Sequence, residues 1–269
     1  MSTEFDPDSA ISTIKRFITD SLSCSGLTGF VVGLSGGLDS SLATTLAVEA
    51  VGPRKVFGLL MPYRKSSVNS AKDAEQLARR LGIDHRVVDI SPMIDAFYDR
   101  IDDSNRLRAG NKMARERMAI LFDAAHQMQR LVLGTGNRSE ICLGYTTLFG
   151  DSACSINPIG ELYKTEVRLL AKKLDLPDMI INKTPSGDLW SDQTDEGEIG
   201  VTYDVIDRLL RRIVDEGVTS RSQLESEGFN AADIDRVISL FNQNSFKRRL
   251  PDIAMIGKPA IPDKIELDA

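Results

Sequence analysis

The sequence predicts an α/β fold: a doubly wound parallel sheet with helices on both faces and further helices at the C-terminal end, in a single domain over residues 1–269. Three observations carry that prediction. Short apolar runs alternate with segments of helical period, the pattern of repeated βαβ units. The first apolar run, Phe30-Val31-Val32, leads through Gly33-Leu34-Ser35-Gly36-Gly37-Leu38-Asp39-Ser40-Ser41 into Leu42, Leu46 and Ala50 at helical spacing. That is a buried strand, a Ser/Gly loop and a helix start. Finally, 269 residues with 42% hydrophobic and 27% charged side chains are enough for a full core of ordinary globular composition.

The elements follow in order. Ile11, Ile14, Phe17, Ile18 and Leu22 make an amphipathic helix over 11–22. Strands are expected at 30–34, 55–61, 85–90 and 131–134. Helices are expected after the first loop to about Ala50, over 67–81 with Gly82 as its C-terminal cap, and over 93–101. The segment 108–130 reads as one long helix, with Ala114, Met118, Leu121, Phe122, Ala125 and Met128 as its core stripe. Residues 137–159 read as loop with a helical turn at the start, 165–174 as helix, and 184–200 as a polar, mobile stretch. The last helices fall at 202–216 and 231–244.

In parallel sheets of this kind, ligands bind beyond the carboxyl ends of the strands, where the strand order reverses. The loop after the first strand offers helix N-terminal N–H groups and adjacent glycines, which suit a phosphate. It lacks the lysine of a G-x-x-x-x-G-K-[ST] loop and carries Asp39 instead. Asp39 either complements the helix dipole or shares a Mg²⁺ with a polyphosphate. Gly134-Thr135-Gly136-Asn137-Arg138-Ser139-Glu140 follows the fourth strand. If the first and fourth strands are neighbours, Glu140 faces Asp39, and the two carboxylates make a Mg²⁺ site. The alternative for Glu140 is a capping role at its own helix.

Composition narrows the function. A net charge of −6 without a long basic run argues against nucleic-acid binding. No apolar run is long enough to span a membrane, and the N-terminus lacks the basic and apolar regions of a signal peptide. Three cysteines without a CxxC pair point to a reducing cytoplasm, with neither a disulfide framework nor a zinc site. His85 and His126 suit ordinary packed or exposed roles.

Other positions admit two readings. Arg108, Lys112 and Arg115 share a helix face, either a solvated charged face or a clamp for a dinucleotide's phosphates. Lys164 opens a helix where a cation opposes the dipole, and breaking that local rule marks it as a candidate for function. Asp151 is a turn residue, or holds an ammonium ion and takes its proton. Trp190 closes over a ligand or packs.

The pattern S-G-G-x-D-S resembles the pyrophosphatase loop of the ATP-pyrophosphatase superfamily. A longer ordered series resembles the NAD synthetases over almost the whole chain. It runs through Met61-Pro62-Tyr63, Lys112-Met113-Ala114-Arg115-Glu116-Arg117-Met118, Gly134–Glu140, Gly144-Tyr145, Gly150-Asp151 and Ala153-Cys154. It continues with Asn157-Pro158-Ile159-Gly160-Glu161-Leu162-Tyr163-Lys164-Thr165-Glu166-Val167, Lys183-Thr184-Pro185-Ser186, Asp188-Leu189, Gln193-Thr194-Asp195-Glu196 and Lys247-Arg248. The resemblance implies a Rossmann-like fold of the adenine-nucleotide α-hydrolase type. It implies ATP-dependent amidation of deamido-NAD with ammonia, giving NAD⁺, AMP and pyrophosphate through an acyl-adenylate. It assigns Gly33, Leu34, Ser35, Gly36, Gly37, Leu38, Asp39 and Ser40, with Thr135, Lys164 and Ser186, to ATP. Asp39 and Glu140 go to Mg²⁺, and Arg115, Phe246 and Lys247 to deamido-NAD. Catalysis falls to Asp39, Asp151 and Lys164. A homodimer is also implied.

Three positions depart from the commonest family pattern. Leu148 stands for a Lys, Ser155 for an Asp, and Phe246 for a His. A bacterial branch of the family shares Leu-Phe-Gly-Asp and the Phe, so they read as a branch trait. About 28 residues precede the first strand, too few for a glutaminase domain, so free ammonia is the expected nitrogen donor. The runner-up reading is a ligase acting on another carboxylate. A nucleotide sensor without turnover is the third, and the joint presence of Asp39, Glu140, Asp151 and Lys164 argues against it.

Overall fold

A computed structural model describes residues 5–64, 68–99, 105–187, 193–254 and 256. The first helix, α1 (Pro7–Ser25), starts where Asp6 accepts the N–H of Asp8 at 3.0 Å, and ends at Gly26 with φ +67°. Its buried stripe is Ile14, Ile18 and Leu22. Four parallel strands follow, β1 (Phe30–Gly33), β2 (Val56–Leu60), β3 (Asp84–Val87) and β4 (Leu131–Leu133), in the spatial order β3-β2-β1-β4. The chain steps outward from β1 to β3, then returns to the other side of β1. The strand order therefore reverses between β1 and β4, which pair through Phe30↔Leu131, Val31↔Val132 and Val32↔Leu133. The neighbour relation expected of the first and fourth strands holds.

Alternation along β1 makes the sheet two-faced. Phe30 and Val32 join a core with α1, α2 (Leu38–Val51), α3 (Val68–Leu81), α7 (Lys164–Lys173) and α8 (Asp178–Ile181). Val31 points the other way, towards α4 (Ser91–Tyr98) and α5 (Arg106–Met128). That is the doubly wound arrangement. A further core joins α6 (Arg138–Leu143), α9 (Asp195–Ile199), α10 (Tyr203–Leu210), α11 (Arg221–Ser226) and α12 (Ala231–Gln243).

The differences from expectation have local causes. The third strand, expected over 85–90, is Asp84–Val87, an edge with Val87 57% accessible; the chain beyond it stays beside β2, where the N–H groups of Val88 and Ile90 donate to the carbonyls of Leu60 and Pro62. The polar stretch 184–200 contains α9, capped by Thr194, whose hydroxyl accepts the N–H of Gly197. The expected helix 202–216 is α10 followed by a wider π turn, Arg211–Asp215. Helices α8 and α11, of 4 and 6 residues, are too short to show a period. The start of the 67–81 helix, the end of the 93–101 helix, Asp188, Leu189 and Trp190 lie outside the described residues.

Candidate active site

The loop between β1 and α2 is shaped by its own side chains. Gly36 has φ +74°, and a Cβ there would lie 2.1 Å from the carbonyl oxygen of Ser70, so only glycine fits. Ser35 Oγ accepts the N–H of Gly37 at 3.1 Å and lies 2.9 Å from Ser40 Oγ. Gly37, at the N-cap of α2, has no side chain to cap it, which suits the first-turn N–H groups to a ligand. Helix α2 is buried on most sides. Its hydroxyls are satisfied within the helix: Ser41 donates to Gly37, Thr44 to Ser40 and Thr45 to Ser41, at 2.6–2.8 Å.

Asp39, Glu140 and Lys164 converge beside this loop. Lys164 is the first residue of α7 and is 2% exposed. Its Nζ lies 2.5 Å from Asp39 Oδ2, 3.7 Å from Glu140 Oε1 and 5.3 Å from the centre of the Tyr203 ring. Asn137 braces both acids. Its Nδ2 donates to Asp39 Oδ1 at 2.9 Å, its Oδ1 accepts the N–H of Glu140, and its own N–H donates to Glu140 Oε2. The capping role of Glu140 is realised, and its carboxylate also lies beside Asp39 and Lys164. One oxygen closes the capping box of α6, and the other faces the lysine.

The electrostatics follow from this crowding. Burial, then the neighbouring Asp39 charge, pushes the Glu140 carboxyl up to about 8 against the pull of Lys164. Burial works against the charged form of Lys164, but Asp39 and Glu140 outweigh it and hold the ammonium above its ordinary value. A third acid, Asp195 of α9, is 4% exposed and raised by burial. Its Oδ2 takes a long hydrogen bond from the Tyr203 hydroxyl at 3.4 Å, and its buried Oδ1 has no hydrogen-bond partner among the described residues.

Lys164 is placed by a buried staple. Asp207 of α10, 1% exposed, accepts the Ser139 hydroxyl at 2.5 Å and the N–H of Thr165 at 2.8 Å. Ser139 Oγ in turn accepts the N–H of Lys164 at 2.9 Å. One carboxylate thus joins the first turns of α6 and α7, the turns that carry Glu140 and Lys164.

Arg115, Asp151, Phe246 and Lys247 form a second group around the loop 144–151, at the other end of α6. Arg115 Nε donates to the Leu148 carbonyl at 3.2 Å, and the Thr147 hydroxyl donates to Asn111 at 2.7 Å. Asp151 lies at the surface, where its Oδ1 accepts the N–H of Thr147 at 2.8 Å. Lys247 Nζ, on the 3₁₀ turn Ser245–Arg248, donates to the carbonyls of Gly144 and Thr146. Phe246 beside it is 53% exposed. Arg108, Lys112 and Arg115 do share a face, and with Phe97, Tyr98 and Asn111 they line a cleft of about 190 Å³. Ser155 sits elsewhere. Its Oγ accepts the N–H of Val132, extending the sheet along β4. Thr135 is half-buried between β4 and α6, and Ser186 is exposed in the segment after α8.

Sequence reasoning assigned no role to Asn137, Lys183, Asp195, Tyr203 or Asp207. Asn137 had a readable signal, since Asn three residues before Glu is the capping-box pattern. Asp207 had none, because it looks like the polar face of an amphipathic helix. The donor set suits Mg²⁺: Asp39 and Glu140 are hard oxygen ligands, crowded enough to raise Glu140, and Mg²⁺ binds through few carboxylates plus phosphate oxygens.

A profile of the NAD synthase family matches residues 10–251. An NH(3)-dependent NAD(+) synthetase from Trichlorobacter lovleyi is 46% identical over 241 residues, covering 90% of this chain and 88% of that one. Among solved structures, an NMN synthetase from Francisella tularensis superposes with a TM-score of 0.82 at 34% identity, over 93% of this chain and 99% of that one. An NH3-dependent NAD synthetase from Campylobacter jejuni gives a TM-score of 0.79 at 32% identity, over 94% and 100%. The ordered motifs, the strand reversal beside Asp39 and Glu140, and similarity over nine-tenths of the length agree: the chain belongs to the NAD synthase family.

Proposed function

We propose that this chain amidates deamido-NAD with ammonia, consuming ATP and releasing NAD⁺, AMP and pyrophosphate, with the two residue groups at the ends of α6 dividing the work. It is an AMP-forming carbon–nitrogen ligase of NAD biosynthesis. The observation that carries this division is the convergence of Asp39, Glu140 and Lys164 at the Ser35-Gly36-Gly37 loop, while Arg115, Asp151 and Lys247 surround 144–151.

The residues act in sequence. The Gly33–Ser40 backbone and the N-terminus of α2 hold the ATP phosphates, with Thr135 and Ser186 as further contacts. The nicotinate carboxylate attacks the α-phosphorus, and the P–O bond to the β-phosphate breaks. Lys164, kept protonated by its two acids, stabilises charge on the departing pyrophosphate. Asp39 and Glu140 would hold Mg²⁺, which when bound neutralises phosphate charge. Ammonia then attacks the acyl-adenylate carbonyl and AMP leaves. Asp151, with Oδ1 committed to Thr147, accepts the ammonium proton on its other oxygen. Arg115 and Lys247 grip the dinucleotide, and Phe246 offers it an exposed ring.

Exposed Phe97, Leu107 and Phe122 on α4 and α5 support a homodimer. The free thiols Cys24, Cys142 and Cys154 support a cytoplasmic site of action. Among the described residues no helix is long and apolar enough to cross a membrane.

A second reading keeps the chemistry and changes the carboxylate. The Francisella relative is named for a mononucleotide product, and Leu148, Ser155 and Phe246 depart from the usual dinucleotide contacts. The cationic, aromatic cleft on α5 favours the dinucleotide, since it offers a second nucleotide half both charge and a stacking surface. The test is product formation from ATP, Mg²⁺ and ammonium chloride, with deamido-NAD and nicotinate mononucleotide in competition and glutamine as a parallel nitrogen source. NAD⁺ from ammonium, with deamido-NAD preferred, is the expected result. Preference for the mononucleotide establishes the second reading, and no amide product from either overturns both.

A further inference from the structure

The phosphate loop has no lysine of its own, yet a lysine from elsewhere in the chain stands directly behind it. Lys183 follows α8 and leads the segment that carries Ser186. Its Nζ donates to the Gly36 carbonyl at 3.1 Å, to Ser70 Oγ at 3.0 Å and to Asp73 Oδ2 at 2.9 Å. All three donors of the ammonium are engaged. The joint is tight: the Asp73 side chain is 9% exposed, Ser70 is 5% exposed, and Gly36 is pressed onto the Ser70 carbonyl. The same segment is tied towards the acid cluster, where the N–H of Asp195 donates to the Pro185 carbonyl at 2.9 Å.

We propose that Lys183 is a positioning residue for ATP, which turns the Gly36 carbonyl away from the phosphates and locks the Ser186 segment to the phosphate loop. The inference rests on the reading of Gly33–Ser40 as the ATP loop. A carbonyl dipole facing a polyphosphate is repulsive, and two glycines impose little steric preference of their own on the peptide between them. With its N–H on Ser35 Oγ and its oxygen on the Lys183 ammonium, that peptide is held at both ends, and its carbonyl is directed at the lysine rather than at the ligand. Two lysines then serve the loop, Lys164 beside it and Lys183 behind. Because Lys183 and Ser186 are three residues apart on one strap, holding the loop also places Ser186.

The test separates positioning from packing. Lys183→Met removes the ammonium and leaves Asp73 buried without a partner, which costs stability on its own. The double variant Lys183→Met, Asp73→Asn removes that stranded charge. ATP binding is measured by calorimetry, alongside KM for ATP, KM for deamido-NAD, and the unfolding temperature without nucleotide. In both variants ATP affinity and KM for ATP should worsen at least tenfold, with KM for deamido-NAD within twofold of wild type. The double variant should recover unfolding temperature but not ATP affinity. Recovery of both, or wild-type ATP affinity in Lys183→Met, overturns the proposal. Failure of the underlying reading looks different: wild-type protein itself would then show no saturable ATP binding.

Discussion

At the scale of single residues, the site is a balance of one cation against several acids. Glu140 sits near 8 in the folded protein against an ordinary value of 4.5. Between those values the folded chain keeps a proton that the unfolded chain has released, so rising pH favours unfolding through this group. Below about 4.5 both states are protonated and the effect vanishes. Glu140→Gln is neutral throughout and can still accept the N–H of Asn137. Thermal unfolding in excess EDTA should therefore give the variant a higher Tm than wild type. The gap should open as pH rises from about 5 to about 8, while NAD⁺ formation collapses. A constant gap, or none at pH 8, contradicts this account. Asp39, Glu140 and Lys164 were legible in the sequence because each breaks or fulfils a rule of its own helix start. Lys183 was not, because its partners Gly36, Ser70 and Asp73 lie 110 or more residues away.

At the scale of elements, helix starts do the positioning. Helices α2, α6 and α7 each bring one site residue in the first turn, at Asp39, Glu140 and Lys164. The long periodic segments and the four strands were readable because apolar spacing follows directly from which face is buried. The short α8, α9 and α11 carry too few turns for a period, so Asp195 was expected in a mobile stretch although it lies buried beside Lys164. Asp207 shows why contact between helix starts matters. An Asp207→Asn change replaces one acceptor with an NH₂ group facing the Ser139 hydroxyl or the Thr165 N–H. Urea unfolding should show a loss of about 1–3 kcal/mol. The turnover number should fall as well, by roughly tenfold or more, since Glu140 and Lys164 are both displaced from their partners. Lost stability with an unchanged turnover number would reduce Asp207 to a packing residue.

At the scale of the whole molecule, the site lies on the seam between two cores. Asp39 is carried by α2 and Lys164 by α7, both packed into the sheet core, while Glu140 is carried by α6, which packs with α10 and α12. Lys164 spans the seam, with its chain in α7 and its ammonium over Tyr203 of α10. A ligand bound there bridges both cores and must raise the stability of the whole. At a hundredfold excess over its Kd the gain is about 2.7 kcal/mol. For a chain of this size that is a Tm rise of roughly 5–10 °C. Without Mg²⁺, ATP brings its phosphates against Asp39 and the acids beside it, which Lys164 offsets in part, so in EDTA the rise should shrink by more than half. Asp39→Asn removes one of those charges and one metal ligand together. It should therefore narrow the difference between ATP with and without Mg²⁺, a comparison that differential scanning calorimetry reads directly. If Mg²⁺ leaves the wild-type shift unchanged, the acids are not bridged to the phosphates by metal. Lys164 alone would then carry the charge.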